Sequence, residues 1–262
     1  MSDLVVVSRR ETVGLVTLNR PEARNPLDRD SAAALRDAFA ELFADGAVRS
    51  VAVTGAGSAF CAGGDLKQME RFGQMPVEEA YAWPEAIVDL HKMMLHAPKP
   101  VVAAVNGPAY AGGMGLAGMC DVILATKQAR FAMPEVKVGL FPMIIVAHLA
   151  RSLPRKLLLE MMMTGEPIGA DHAHQVGFVS KIYDDTDALL AGVDHYGSLF
   201  ARVSPQAVRL GRAAFHLLAE MPASQAIDAA QFLNLPFFLG ADLREGTSAF
   251  FDNRPPRWRD EE

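Results

Sequence analysis

One stretch, Lys99 to Pro142, limits the folds open to this chain more than any other: KPVVAAVNGPAYAGGMGLAGMCDVILATKQARFAMPEVKVGLFP. Val101–Val105 is an apolar run of strand length, and Asn106-Gly107 ends it. Ala111-Gly112-Gly113 lets the backbone come close to a neighbour and opens a short apolar helix. Val122–Ala125 reads as a second buried strand, after which Glu135 stands alone among Phe131, Met133, Pro134 and Val136. A helix that begins at a glycine turn presents free N–H groups and a positive dipole end, where charge developing on an oxygen is stabilised. A similar unit lies upstream, with Ser50–Thr54 as strand, Gly55-Ala56-Gly57-Ser58 as turn, and Phe60-Cys61-Ala62-Gly63-Gly64-Asp65-Leu66-Lys67 as a second glycine turn opening a helix. Two such units can aim two backbone N–H groups at one point, which is the geometry of an oxyanion hole.

The rest of the chain alternates strands and short helices and then turns helical. Leu4–Val7 and Gly14–Leu18 read as strands, and Asp30 or Ser31 can cap a helix with Leu35, Phe39, Leu42 and Phe43 at helical spacing. Residues 64–72 are expected to be helical. Residues 77–96 read as one longer helix that Pro84 starts or kinks, and His96-Ala97-Pro98 ends it. Beyond the central stretch come helices at 143–152, 155–163 and 171–175, a strand at 178–182, and helices at 187–202, 205–220, 223–239 and 242–252.

Five segments carry a family resemblance. AFCAGGDLKQM and AAVNGPAYAGGMGLAGMCD are similar to the two signature segments of the enoyl-CoA hydratase/isomerase (crotonase) family. LNRPEARNPLD, PEVKVGLFP and MMTGEPIGADHAHQVGFVSKI follow in the family's order and spacing, so the resemblance spans nearly the whole chain. It implies an α/β crotonase-like spiral of repeated ββα units. The core would be residues 1–195, and a C-terminal helical region, 196–262, would serve trimer formation and pocket closure.

The resemblance also implies chemistry. The backbone N–H groups of Gly64 and Gly112 would hold a thioester carbonyl oxygen as it becomes an enolate. Glu135 would be the general acid/base, its carboxyl raised by burial toward what a proton shuttle needs; the plain alternative is an ion pair with Lys137 or Arg130. Ala62, Gly64, Asp65, Leu66 and Lys67 match the segment that holds coenzyme A, and Arg24 in PEARN would meet its phosphates. FFDNRPPRW resembles the family's aromatic-then-basic ending, with Asn253 where lysine is usual. Gly115 stands where a typical family hydratase has a second glutamate. One carboxylate suits a proton shuttle between two carbons, although some single-glutamate members hydrate. Met143 occupies the place where dienoyl-type isomerases carry an aspartate, and is expected to line the pocket. Met114 and Gly115 are expected to leave room for a bulkier acyl group.

Composition narrows the partners. The formal charge of -6 argues against non-specific nucleic-acid binding, and no apolar run approaches the ~20 residues a bilayer span needs. The opening MSDLVVVSRRETVG does not read as a signal peptide, and Cys61 and Cys120 in apolar settings read as reduced packing residues; a cytoplasmic location is expected. His172 and His174 lie on a polar helix, so no metal is expected, and no cofactor beyond the coenzyme A that enters with the substrate. A homotrimer or homohexamer acting on an acyl-CoA is the expected form. Two other enzyme classes fare worse: VAVTGAG opens like a dinucleotide-binding turn but has Phe60 at the third glycine position, and no nucleophile-elbow motif occurs. The non-enzymatic alternative is an acyl-CoA-binding homologue of weak activity.

Overall fold

The structure is a computed structural model that describes residues 4–64 and 72–258. Its frame is a six-stranded sheet in the order β1(Val5–Arg10), β2(Val13–Leu18), β3(Ser50–Gly55), β4(Val101–Val105), β6(Val122–Thr126), β9(Lys181–Tyr183). Only the β1–β2 pair is antiparallel; β2 to β9 run parallel. Parallel neighbours need crossovers, and those crossovers carry the helices and the candidate site. A second, three-stranded sheet pairs β5(Ala109–Tyr110), β7(Arg130–Ala132) and β8(Ile168–Gly169).

The central strands are apolar because both faces are covered. Val16, Leu18, Val51, Val53, Val101, Ala103 and Val105 point into the larger core, with α1(Arg29–Ala44) and α3(Glu85–Leu95). Alternate residues Val13, Leu15, Ala52, Val102, Ala104 and Leu124 point the other way, where Leu189 and Val193 of α8(Thr186–Ala201) cover them. Each valine or leucine among them taken fully out of water contributes about 1.5–3 kcal/mol. The expected division after residue 195 falls inside α8.

Several local expectations change on contact with tertiary structure. The cap of α1 is Asp28, not Asp30 or Ser31: its carboxylate accepts the Ser31 N–H at 2.8 Å and pairs with Arg20. Residues 77–96 form two helices, α2(Val77–Ala82) and α3, with Pro84 at the N-cap of the second. The last strand starts later than expected, at Lys181, because Phe178 and Val179 are buried in the core ahead of it. The helix expected over residues 64–72 falls almost wholly on 65–71, outside the described residues.

The other helices follow the expected order: α4(Gly112–Gly118), α5(Met143–Leu149), α6(Arg155–Thr164), α7(Ala170–Gln175), α9(Pro205–Leu218), α10(Ala223–Leu233), α11(Leu235–Leu239) and α12(Ala241–Phe251). Asn234 separates α10 from α11, where a single helix was expected. The C-terminal helices leave Phe232, Phe238, Phe250 and Phe251 exposed. Among the described residues, no helix is long and apolar enough to cross a membrane. Cys61 and Cys120 are both free thiols.

Asp28→Ala should lower the unfolding free energy by about 1–2 kcal/mol, the usual range for a lost N-cap. Asp30→Ala should stay within about 0.5 kcal/mol of the parent chain. Urea unfolding of the two variants separates the cap from its neighbour.

Candidate active site

Two-residue β5 gathers the candidate residues. On one side Cys61 bridges in parallel to Ala109, and Tyr110 donates its N–H to Cys61 O at 2.9 Å. On the other, β5 pairs in parallel with β7, and the Ala111 N–H reaches Ala132 O at 2.9 Å. The chain leaving Cys61 therefore enters Ala62-Gly63-Gly64, the chain leaving β5 enters Gly112, and the chain leaving β7 reaches Glu135. The Arg24 loop joins this group: Ala62 donates to Arg24 O at 2.9 Å, and Leu27 to Gly63 O at 2.8 Å. The pairings thus tie the segments that carry Arg24, Ala62, Gly64, Gly112 and Glu135 to one anchor. Asp65, Leu66 and Lys67 lie outside the described residues.

Close backbone approach explains the glycines. Gly63 has φ +89°, and a Cβ there would lie 2.6 Å from the Cβ of Ala111. Ala111, the N-cap of α4, is itself at φ 49° and ψ -123°, a region an L-residue avoids. From that N-cap, α4 starts with Gly112, and Gly115 N–H closes the first turn on Ala111 O at 3.1 Å. The N–H groups of Gly112, Gly113 and Met114 are thus left without an acceptor within the helix. Asn106 locks the two glycine units together: its amide accepts from Gly55 N–H at 3.2 Å and donates to Gly57 O at 3.0 Å.

Glu135 sits half-buried in a 3-10 turn, Pro134–Val138. Its Oε2 is buried and takes no hydrogen bond from the described residues. Burial raises its carboxyl pKa above the ordinary value, partly offset by a backbone hydrogen bond. The ion-pair alternative does not occur. Lys137 bonds Glu166 at 2.8 Å, and Arg130 Nη1 donates to the carbonyls of Lys127 and Ala129. Exposed Arg24 has no carboxylate partner among the described residues.

The space at Gly115 is a correction. Room for a bulkier acyl group was expected there, yet the buried Ile145 of α5 fills it: a Cβ on Gly115 would be 2.2 Å from Ile145 Cγ2. Met114 is fully buried in the core and opens no space either. Met143, at the start of α5, is 67% exposed, which puts it at the surface. Behind Gly115 lie two histidines that carried no signal as single residues. The His91 and His148 rings meet edge to face, with centroids 5.1 Å apart. Burial, then the neighbouring ring, pushes the His91 imidazole down to about 3; burial pushes His148 down to about 4, so both are neutral.

Other singled-out residues are structural. Asp121 accepts from Val101 N–H at 2.8 Å and from Arg212 at 2.7 Å. His174 bonds Val179 O at 2.8 Å, and Arg254 pairs with Glu245. A cavity of about 1620 Å³ opens at the other end of α4, beside Gly118, Met119 and Arg212, and none of the candidate residues lines it.

Comparison with known proteins finds relatives along nearly the whole chain. Residues 8–261 match the family model described as enoyl-CoA hydratase/isomerase. The chain is 34% identical over 262 residues to the 2,3-dehydroadipyl-CoA hydratase of Escherichia coli K12, covering 99% of each. It is 32% identical to the mitochondrial enoyl-CoA hydratase of Pongo abelii over 254 residues, covering 97% of this chain and 86% of that one. The crystal structure of an enoyl-CoA hydratase from Mycobacterium smegmatis superposes with a TM-score of 0.90 at 35% identity, covering 98% of this chain and 99% of that one.

Gly115→Ala should be destabilising by about 1–3 kcal/mol through overpacking, although alanine is the better helix former by about 1 kcal/mol. Combined with Ile145→Ala, the loss should fall short of the sum of the single variants by about 1 kcal/mol or more. Additive losses in a double-mutant unfolding cycle would show that the two positions do not interlock.

Proposed function

The chain belongs to the enoyl-CoA hydratase/isomerase family, and from that premise we propose that it moves a proton on an enoyl-CoA thioester, with Glu135 as the general acid/base. One observation carries the reading. Glu135 is a half-buried carboxylate with no cation paired to it among the described residues, three residues beyond the strand that bonds directly to the N-cap of α4. An acid/base group needs a pKa near its working range and no permanent ion pair. Burial moves the Glu135 carboxyl upward, in the direction the first condition asks for, and no ion pair to it occurs among the described residues.

The chemistry follows from the thioester. Taking a proton from the carbon beside the carbonyl puts negative charge on the carbonyl oxygen. The N–H groups of Gly64 and Gly112 are the donors assigned to that oxygen. One such donor is worth about 2.7–4 kcal/mol of transition-state stabilisation. In isomerisation, Glu135 would take a proton from C2 of a 3-enoyl thioester and return it at C4. In hydration, it would take a proton from water as the oxygen adds at C3 and deliver it at C2. The single carboxylate, with Ile145 packed over Gly115, favours the first route. The hydratases among the relatives favour the second. Arg24, exposed and next to Ala62, is assigned to the phosphates of coenzyme A, which enters as part of the substrate. The exposed phenylalanines of α10 to α12 support a homotrimer or homohexamer.

Glu135→Gln should lower kcat by 100-fold or more on whichever substrate is turned over, with acyl-CoA binding retained, since acid–base groups supply about 10²–10⁴-fold. Absorbance of the conjugated thioester tells the routes apart: it falls when a 2-enoyl-CoA is hydrated and rises when a 3-enoyl-CoA is isomerised. If Glu135 acts as base, activity must fall as pH drops through its folded pKa. Because that pKa is raised, the acid limb should lie above that of an ordinary glutamate. Equal turnover by wild type and Glu135→Gln would leave an acyl-CoA-binding homologue of weak activity. Arg24→Ala should raise KM for the CoA thioester several-fold and leave KM for the matching pantetheine thioester unchanged, because the truncated substrate lacks the phosphates.

A further inference from the structure

α5 is seated on α4 by steric notches and one polar bond. Ile145 fills the space over Gly115, and a Cβ on Gly118 would lie 2.5 Å from Leu149 Cδ2. Between these two side chains of α5, His148 places its Nε2 3.0 Å from Gly115 O. A carbonyl only accepts, so Nε2 carries the proton and the neutral ring is fixed in one tautomer. The same carbonyl accepts the Met119 N–H at 3.1 Å, so His148 adds a second bond to a carbonyl already used within α4. His91 backs the ring edge to face, and both its own nitrogens are buried with no hydrogen bond among the described residues. The proposed proton transfer uses neither ring.

The two helices carry the two halves of the candidate site. α4 begins at Gly112, and α5 begins at Met143, eight residues after Glu135. The link between Glu135 and α5 is held by its own hydrogen bonds: Leu140 N–H to Glu135 O at 3.0 Å, Gly139 N–H to Val136 O at 3.3 Å and Met143 N–H to Phe141 O at 2.8 Å. A slip of α5 along α4 would therefore be passed on to Glu135. We propose that His148 is a positioning residue for this reaction: its Nε2–H bond to Gly115 O keeps α5 in the glycine notches and so holds the Glu135 carboxylate in place against the N-terminal end of α4. The inference rests on the roles given above to Gly112 and Glu135.

His148→Leu removes the donor and His148→Gln offers an amide N–H at similar reach. His148→Leu should lower kcat about 10- to 100-fold, the scale of a roughly 1 Å misplacement, with KM changed by no more than about twofold, the range expected when an interaction is made only in the transition state. His148→Gln should restore most of the loss. A second readout reports on the carbonyl itself. Bound to wild type, an aryl-acryloyl-CoA should shift its absorbance to the red as its carbonyl is polarised. That shift should shrink in the leucine variant and return in the glutamine variant. If His148→Leu does not fold, His148→Asn takes its place, with an amide too short to reach Gly115 O. Wild-type kcat and an undiminished red shift in the folded leucine or asparagine variant would overturn the positioning role. So would a fall in melting temperature alone, or a folded glutamine variant that restores nothing. Wild type and Glu135→Gln in the same assay keep the two readings apart. Turnover that needs Glu135 but ignores His148 removes only the positioning role, whereas turnover that ignores Glu135 removes both.

Discussion

The candidate site depends on the two-sided pairing of β5. Two residues, Ala109 and Tyr110, bind the Cys61 segment on one edge and β7 on the other. The Tyr110 and Ala111 N–H bonds, with the Phe60 and Cys61 N–H bonds to Pro108 O, tie the three segments that hold Gly64, Gly112 and Glu135 to this one anchor. The pairing forces Ala111 to φ 49° with its Cβ against Gly63. Backbone strain of that kind costs on the order of 1–3 kcal/mol and persists only where the surroundings over-determine it. Here they do: Ala111 N–H is bonded to Ala132 O, and Ala111 O accepts the Gly115 N–H. The strain turns the chain sharply out of β5 and points the start of α4 at the neighbouring glycine turn.

Charge is handled differently inside the site and outside it. Asp28 is held below the ordinary carboxyl value because its Ser31 bonds and Arg20 outweigh its burial, and Asp121 is bound by a backbone N–H and by Arg212. Those carboxylates fix chain segments. Glu135 has the nearest cations in sequence turned elsewhere, Lys137 to Glu166 and Arg130 to backbone carbonyls. An arginine placed beside a carboxylate can lower its pKa by about 1–3 units. Diverting both cations leaves burial as the dominant influence on Glu135, which raises its carboxyl pKa.

Much of this was legible in the sequence, and the limits are physical. The central strands of the large sheet are buried on both faces, so their apolar runs announce them. β5, β7 and β8 have two or three residues each, too few for any period to show, yet they assemble the site. Pro84 was recognised as a start or a kink but not as a full break between helices. The chain pattern puts the cap of α1 at Asp30 or Ser31, and only the Ser31 N–H and the Arg20 contact single out Asp28. Glu135 stood out because a carboxylate among apolar residues conflicts with its surroundings, and such conflicts mark functional positions. His91 and His148 could not be paired in advance, because their proximity depends on how α3 and α5 meet around α4.

The error at Gly115 is of another kind. Read along the chain, a glycine where a larger residue is usual means empty space. Read across the helix interface, Gly115 and Gly118 are notches, and Ile145 and Leu149 are the side chains they admit. A Cβ at 2.2 Å from Ile145 Cγ2 would need a shift of about 1.3–1.8 Å to reach ordinary carbon–carbon contact. A densely packed interior does not absorb that shift locally. It has to move α5, and α5 is tied back to Glu135 through the bonded turn at Gly139 and Leu140. A side chain at 115 and isoleucine at 145 are therefore alternatives, and exchanging one for the other bears on Glu135 as well. The single-carboxylate site is thus a property of the α4–α5 interface as much as of one substituted residue.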